Sequence, residues 1–486
     1  METQKSYFFQ SFLILLLAAI FLLVLKPFLP TKIFPENKIS SKNVLIDSML
    51  IDAVAEKNIK NDSAIDVIQS QQPIFYQNTN GVQFPAESFE NYTGNQYLIS
   101  FYEKLFQLET NKTGNVRVAY FGDSMTDADY IVQDLRNNLQ TKFGGSGVGF
   151  VSITSESAAS RGSVFHEFSK NWKMQSYLNV KKPISPFGIN GHVFFANDTT
   201  NLAWVKFKSG YLQTQKLLEN ATIFYGDAAN QNAKVFYAIG KDTLSKKLTP
   251  SNILNTTLLS QNGLKSLKIN FKNAKNIPFY GVNFDDQKGI HVDNFSQRGM
   301  SGLPIAKFDV GLMSAFQQKL DYDLIVLHYG TNVLNYGTKD YSWYEKSMTR
   351  TVNHLHQCFP GISILIISTA DKSTKYNSEM KTDSAVVPLS ISQKKYALST
   401  QSGFTNLYTL MGGNGSMVKW AEEIPVNAGK DYTHFNLRGS KKIANILFDN
   451  LMQGYNQYKT LRRIKKLVPT SILENTLIPD SINENP

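Results

Sequence analysis

The chain has a single cysteine, Cys358, in 486 residues. One thiol excludes a disulfide within the chain and a cysteine-rich metal site. No His-x-x-x-His pair and no Asp-rich loop with cation-ligand spacing is present either, so no metal and no cofactor is expected. No recognised nucleic-acid motif and no basic–aromatic stripe is read in the sequence, which argues against nucleic acid as a partner. Acidic residues are the minority, 39 against 50 Lys and Arg, for a net charge of +11. That balance reads as a solvated basic surface or as attraction to an anionic glycan, wall polymer or lipid headgroup.

Long apolar runs are also missing, with one exception. Residues 12–25 are uninterruptedly apolar, and counted from Tyr7 the span approaches the ~20 residues that cross a bilayer. No small-x-small cleavage signal follows. Residues 1–26 therefore read as a transmembrane signal anchor, with a cleaved signal peptide as the alternative. Lys5 precedes the span, and Lys26, Lys32 and Lys38 follow it. By itself that asymmetry would leave the body inside, but long domains translocate largely regardless of charge. Residues 27–85, rich in Asn, Gln, Ser, Lys and Asp, read as a polar tether with a short helix over 44–55. At the other end, 459–486 reads as a basic, then polar, tail.

Between these ends the pattern changes twice. Tyr97, Phe101, Leu105 and Leu108 predict an amphipathic helix within 87–108. A buried strand over 116–121 follows, then a helix over 128–142 that buries Leu135 and Leu139. Over 151–290, stretches such as Val205-Lys206-Phe207-Lys208 and Leu267-Lys268-Ile269-Asn270-Phe271 alternate apolar with polar, the signature of half-buried antiparallel strands. This region reads as an inserted all-β sandwich, either a carbohydrate-binding module or a decoration that shapes a cleft. Strands at 324–327, 363–368 and 405–410 and helices at 342–357 and 437–458 then restore an α/β pattern, with a polar loop over 370–395. The expectation is a parallel sheet covered on both faces, built from 86–150 and 291–458 around the insertion.

The first strand runs directly into Gly122-Asp123-Ser124. A serine at the carboxyl end of a central strand stands where α/β folds place reactive groups. Gly-Asp-Ser alone is ordinary turn chemistry. However, Asp431-Tyr432-Thr433-His434 lies downstream, and of seven histidines only His434 has an aspartate three positions earlier. A hydroxyl nucleophile, a base to take its proton and a carboxylate to orient the base make a hydrolytic set. Two glycine-bearing segments complete it: Arg298-Gly299-Met300-Ser301-Gly302, and the strand end Gly330-Thr331-Asn332. The structural alternatives are a helix cap for Ser124 or Asp431 and a turn for Asn332. His354 and His356, two apart, share no helix face and read as structural. His328 reads as a core histidine and Asp123 as a structural hydrogen-bonding partner. Trp420 stacks on carbohydrate or packs.

These four segments, in this order, resemble the SGNH (GDSL-type) hydrolases, with Ser124, Gly302, Asn332 and His434 in the name-giving positions and Asp431 in the Asp-x-x-His position. Phe143-Gly144-Gly145-Ser146-Gly147-Val148-Gly149-Phe150, Val292-Asp293-Asn294, Met411-Gly412-Gly413 and Trp420 resemble a subgroup of bacterial polysaccharide and peptidoglycan O-acetylesterases. Val333 departs from the aspartate that many members carry there. The resemblance implies a three-layer α/β/α, flavodoxin-like SGNH sheet with an inserted β-module. It implies catalysis by Ser124, His434 and Asp431, and oxyanion donors from Ser124, Gly302 and Asn332. Trp420 and Arg298 are candidate substrate contacts. The implied enzyme removes O-acetyl groups from an acetylated glycan of the bacterial envelope, from the outer side of the inner membrane. An O-acetyltransferase on the same site and a non-catalytic glycan-binding protein remain alternatives.

Overall fold

The computed structural model describes residues 46–58, 81–197, 202–239, 241–336 and 339–467, with six helical positions between Phe12 and Phe21. In strand β1 (Asn115–Gly122) every residue from Val116 onward is buried. Such a run marks a parallel strand covered on both faces. Its side chains divide by parity. Ala119 and Phe121 join one apolar core, while Val116, Val118 and Tyr120 join the other.

An insertion follows in which the described residues form eleven strands. These are β2 (Gly149–Ser152), β3 (Val164–Phe168), β4 (Trp172–Ser176), β5 (His192–Ala196), β6 (Ala203–Ser209), β7 (Thr222–Tyr225), β8 (Lys234–Ile239), β9 (Asp242–Lys247), β10 (Asn255–Leu258), β11 (Ser266–Lys272) and β12 (Phe279–Phe284). The α/β pattern then resumes with β13 (Gly289–Asn294), β14 (Leu324–His328), β15 (Ser363–Ile367), the hairpin β16 (Ser373–Tyr376) and β17 (Glu379–Thr382), and β18 (Gly403–Thr405).

The central sheet has the order β13-β1-β14-β15-β18, and every pairing is parallel. Counting only these five strands in chain order gives 2-1-3-4-5, the flavodoxin-like arrangement. Its order reverses between β1 and β14, where Gly122 pairs with His328. Ligands of such sheets bind beyond the carboxyl strand ends at that switch point. Helices Ile99–Asn111, Val132–Phe143 and Leu437–Leu467 cover one face. Helices Val310–Leu320, Ser342–Cys358 and Val386–Ser399 cover the other.

The insertion forms two antiparallel sheets, β10-β7-β12-β5-β4 with β2 beside β12, and β3-β6-β11-β8-β9. Between them lies a third core that includes Val205, Phe207, Ile223, Val235, Ile269 and Phe279. The first sheet is buried on its other face too, because Phe150, Phe224 and Tyr280 pack against Phe316. Arg117 on β1 also joins the two parts. Its buried guanidinium donates to Asp293 at 2.7 Å, Asp285 at 2.6 Å and Asn283 at 2.6 Å. A buried charge is tolerable only when paired and hydrogen-bonded. Although burial pushes the Asp285 carboxyl up, Arg117 and neighbouring donors hold it down at about 2.

Several sequence expectations are corrected. The amphipathic segment begins only at a 3-10 turn, Asn95–Leu98, after Gly94 adopts a left-handed conformation. The next helix starts at Val132 instead of 128, because Ala128, Asp129 and Ile131 have positive φ. The 370–395 region is the β16–β17 hairpin followed by helix Val386–Ser399. Ser390, Ser392 and Gln393 are buried on that helix, so its inner face is too polar to show an apolar period. The 405–410 strand is β18 followed by the helical turn Leu407–Leu410, which Asn406 caps. The last helix extends to Leu467, beyond the expected start of the tail, as Lys459 pairs with Glu109 and Arg462 with Glu103.

The expected tether is not a tether throughout. Helix Ser48–Asn58 packs on the body with Leu50 fully buried. The rest of 27–80, the segment 468–486 and most of the 1–26 anchor lie outside the described residues. Among the described residues no helix is long and apolar enough to cross a membrane.

Candidate active site

The switch point is organised by Asp123. Its carboxylate accepts the N–H of Met125 at 3.0 Å and that of Thr331 at 3.1 Å, tying the loop after β1 to the loop after β14. Complete burial pushes its pKa up to about 6, against the pull of the Met125 N–H, His434 and the Thr331 donors.

Ser124 follows Asp123, and its Oγ lies 2.8 Å from His434 Nε2 across 310 residues of sequence. His434 Nδ1 lies 2.7 Å from Asp431 Oδ2. Asp431 Oδ1 accepts the N–H groups of Thr433 and His434, both at 3.1 Å. Burial raises the Asp431 pKa, but the hydrogen bonds from the His434 ring, the His434 N–H and the Thr433 N–H outweigh it and hold the carboxyl below its usual range. A carboxylate can only accept, so His434 Nδ1 carries the proton and Nε2 is left to accept the serine hydroxyl. The loop bearing this pair is pinned by Gly429 N–H to His434 O at 2.8 Å and by Ser373 N–H to Tyr432 O at 3.0 Å. The His434 and Asp431 side chains stay 44% and 46% exposed, so water reaches the site.

Gly302 takes φ +92° at the start of the 3-10 turn Leu303–Lys307, and a Cβ there would stand 2.8 Å from a Tyr329 ring carbon. Glycine alone fits both the conformation and the close approach. The residue before it is held from several sides. Ser301 N–H donates to the Asp47 carboxylate at 2.7 Å, and Ser301 O accepts the Tyr344 hydroxyl at 2.7 Å. Asp47 N–H returns to Gly299 O at 3.1 Å. Asn332, in the short helix Thr331–Leu334, donates from Nδ2 to Met300 O at 2.9 Å. That bond brings its amide onto the Gly302 loop and leaves the second amide proton for another acceptor. Among the described residues, no acceptor pairs with the backbone N–H of Ser124 or of Gly302. These two N–H groups and the second Asn332 amide proton therefore stay uncommitted among the described residues.

Other sequence candidates fall elsewhere. Trp420 is only 3% exposed, packs on Phe435 at 5.4 Å and lies under Lys442 Nζ at 4.2 Å, which corrects its reading as a carbohydrate-stacking residue. Arg298 is half exposed, and its Nε donates to Asp127 at 2.8 Å, three residues past the serine. His328 Nδ1 meets the Tyr120 hydroxyl at 2.7 Å, and burial pushes its pKa down to about 4, so it is a neutral core residue. His354 Nε2 meets Phe308 O at 2.8 Å. Among the described residues no group of three or more His, Cys, Asp or Glu is arranged to hold a metal ion.

Two residues near the site escaped sequence reasoning. Asp47 lies in a polar segment with no motif around it. Lys372, beyond the carboxyl end of β15, donates to Asn335 at 2.7 Å, and burial lowers its pKa against the attraction of Asp383 and Asp431. Nothing local in the sequence marks either one.

No protein-family model matches the chain, and no curated protein matches it. The chain is similar to a solved structure of a peptidoglycan O-acetylesterase, at 20% sequence identity and a TM-score of 0.60, over 79% of this chain and 99% of the other. More distant likenesses, too weak to bear on the fold, are to a Bacillus subtilis protein and to a family two carbohydrate esterase from Cellvibrio japonicus. The first has 13% identity and a TM-score of 0.29, over 59% of this chain and 90% of that one. The second has 10% identity and a TM-score of 0.25, over 60% and 98%. The first of these likenesses spans most of this chain and shows that the fold is shared with that esterase structure, in agreement with the 2-1-3-4-5 order of the central sheet.

Proposed function

We propose that the protein is a serine esterase that removes O-acetyl groups from an envelope glycan. The observation that carries this reading is the relay of Ser124 Oγ, His434 Nε2, His434 Nδ1 and Asp431 Oδ2, with gaps of 2.8 and 2.7 Å. His434 Nε2 takes the hydroxyl proton as Ser124 Oγ attacks the acetyl carbonyl. Asp431 stabilises the imidazolium that forms. The carbonyl oxygen gains negative charge between the N–H groups of Ser124 and Gly302 and the Asn332 amide. His434 then returns the proton to the departing sugar oxygen, leaving an acetyl-serine. Water, activated by the same imidazole, releases acetate. The half-exposed His434 and Asp431 leave the acetyl-serine open to water, the acceptor in this reading.

The substrate class is supported by the likeness in fold to a peptidoglycan O-acetylesterase. Residues 7–25 would hold the enzyme at the inner membrane with its body outside the cytoplasm. A reporter active only in the cytoplasm, fused after residue 486, should stay silent, and activity there would reject this location. Acetate release from O-acetylated peptidoglycan tests the reaction itself. The wild type should release acetate and Ser124→Ala should not. Equal release by both would reject the assignment.

A further inference from the structure

We infer that the outer face of the five-stranded sheet of the insertion binds an acidic polysaccharide. In this sheet Lys206 stands directly opposite Lys268, Lys272 opposite Lys234, and Lys234 opposite Lys247. Residues directly opposite one another share a face. The face is the outer one, because the intervening residues Val205, Ile269, Phe271 and Val235 are buried in the sandwich core. Lys206 is half-buried and the other four lysines are exposed. Like charges set directly opposite destabilise a sheet. Only Lys206 has a carboxylate to offset this, Glu167 at 3.3 Å. Among the described residues, no carboxylate lies within ion-pair distance of Lys234, Lys247, Lys268 or Lys272. The sheet thus retains a repulsion that a bound polyanion would relieve.

Between the lysine rows runs a third row, Trp204–Asn270–Phe236. Lys268 and Lys272, four residues apart on β11, are separated by about 13 Å along the strand, and three strands span about 10 Å across it. A chain of sugar rings fits across the strands in that trough. Its carboxylate, sulfate or phosphate groups would meet ammonium groups on both sides. The Asn270 amide can donate to one hydroxyl and accept from another. Lys268 Nζ sits 4.7 Å from the Trp204 ring centroid, so an anion that draws the ammonium away alters the indole's surroundings. These residues come from four strands and lie up to 68 positions apart, from Trp204 to Lys272, so no local motif announces them. The choice of a polysaccharide over nucleic acid or an anionic bilayer rests on the esterase reading.

The test is a tryptophan-fluorescence titration of the full-length protein with polygalacturonate at low salt, with dextran as the neutral control. A saturable change should occur with polygalacturonate alone, vanish in Trp204→Phe and weaken as salt is added. Lys234→Glu puts an acid between Lys272 and Lys247. Its Tm should therefore rise while polygalacturonate binding weakens by about tenfold and aryl acetate turnover stays unchanged. A structural role alone would not move stability and binding in opposite directions. Four results would overturn the proposal: no binding, equal binding of dextran, an unchanged Kd in Lys234→Glu, or a signal that survives Trp204→Phe. Tighter binding of duplex DNA or phosphatidylglycerol vesicles would also overturn it. The titration needs no ester turnover, so it stands apart from the esterase test, which reads the loss of acetate release in Ser124→Ala.

Discussion

Ser301 donates its backbone N–H to the carboxylate of Asp47, 254 residues earlier, at 2.7 Å. Asp47 is fully buried, and it also accepts the Leu50 N–H at 2.8 Å. Helix Ser48–Asn58 is thereby fastened to the peptide that precedes Gly302. Asp47→Ala should lower kcat for an aryl acetate by about tenfold with little change in KM, since an oxyanion donor acts chiefly in the transition state. Asp47→Asn keeps one acceptor oxygen and should recover part of the loss. Wild-type kcat in a folded Asp47→Ala would show that the Gly302 loop holds itself in place.

Ser124→Ala should abolish ester hydrolysis without loss of fold, because the serine side chain makes one contact of note, that with His434. Asn332→Ala should cost about two to three orders of magnitude in kcat, the usual consequence of losing one oxyanion donor. Steady-state kinetics on an aryl acetate, with circular dichroism as the fold control, separates the two. A loss in Asn332→Ala confined to KM would place the amide on the substrate's ground state instead.

Asp129 and Arg136 form a fully buried pair with Arg136 Nη1 2.7 Å from Asp129 Oδ2. Burial raises the Asp129 pKa, but Arg136 and Arg161 outweigh it and hold the group at about 2. The folded pKa lies below the unfolded value of about 3.9. Stability from this group is therefore present above pH 4 and lost as the pH falls through 2, by about 2.5 kcal/mol in all. Asp129→Asn should destabilise the protein at pH 7 by about 3–5 kcal/mol, because Arg136 keeps its charge in the core. It should also flatten the acid limb between pH 4 and 2 in part, as Asp285, likewise held at about 2, still titrates there. Chemical denaturation at a series of pH values measures both effects.

Legibility from sequence followed the range of the interaction. Gly122-Asp123-Ser124 and Asp431-Tyr432-Thr433-His434 are local signals, because each segment carries its chemistry within a few residues. Strands β1, β14 and β15 were legible for the same reason, since a parallel strand shows its burial as a largely apolar run, whereas β13, which carries His291 and Asp293, shows none. The bond between Asp47 and Ser301 was not, because its partners are far apart and Asp47 lies among polar residues. Helix Val386–Ser399 was hidden by the polar residues Ser390, Ser392 and Gln393 on its buried face. The lysine rows of the insertion required the register of separate strands, which composition does not carry.

Trp420 offers a direct comparison between packing and recognition. Its ring lies in the core shared with helix Leu437–Leu467, against Phe435 and beneath Lys442. Removing a buried indole costs about 3–5 kcal/mol, so Trp420→Ala should lower Tm by several degrees. Trp420→Phe keeps an aromatic ring and most of the apolar volume and should lose less. In both variants the ratio of kcat/KM on acetylated polymer to kcat/KM on a small aryl acetate should match that of the wild type, because a buried ring touches neither substrate. A residue that stacked on the glycan would behave differently, raising KM for the polymer alone while leaving Tm nearly unchanged. Thermal denaturation and the two-substrate ratio, measured on the same preparations, decide between these roles. A selective loss on polymer in Trp420→Phe would return the residue to the binding surface.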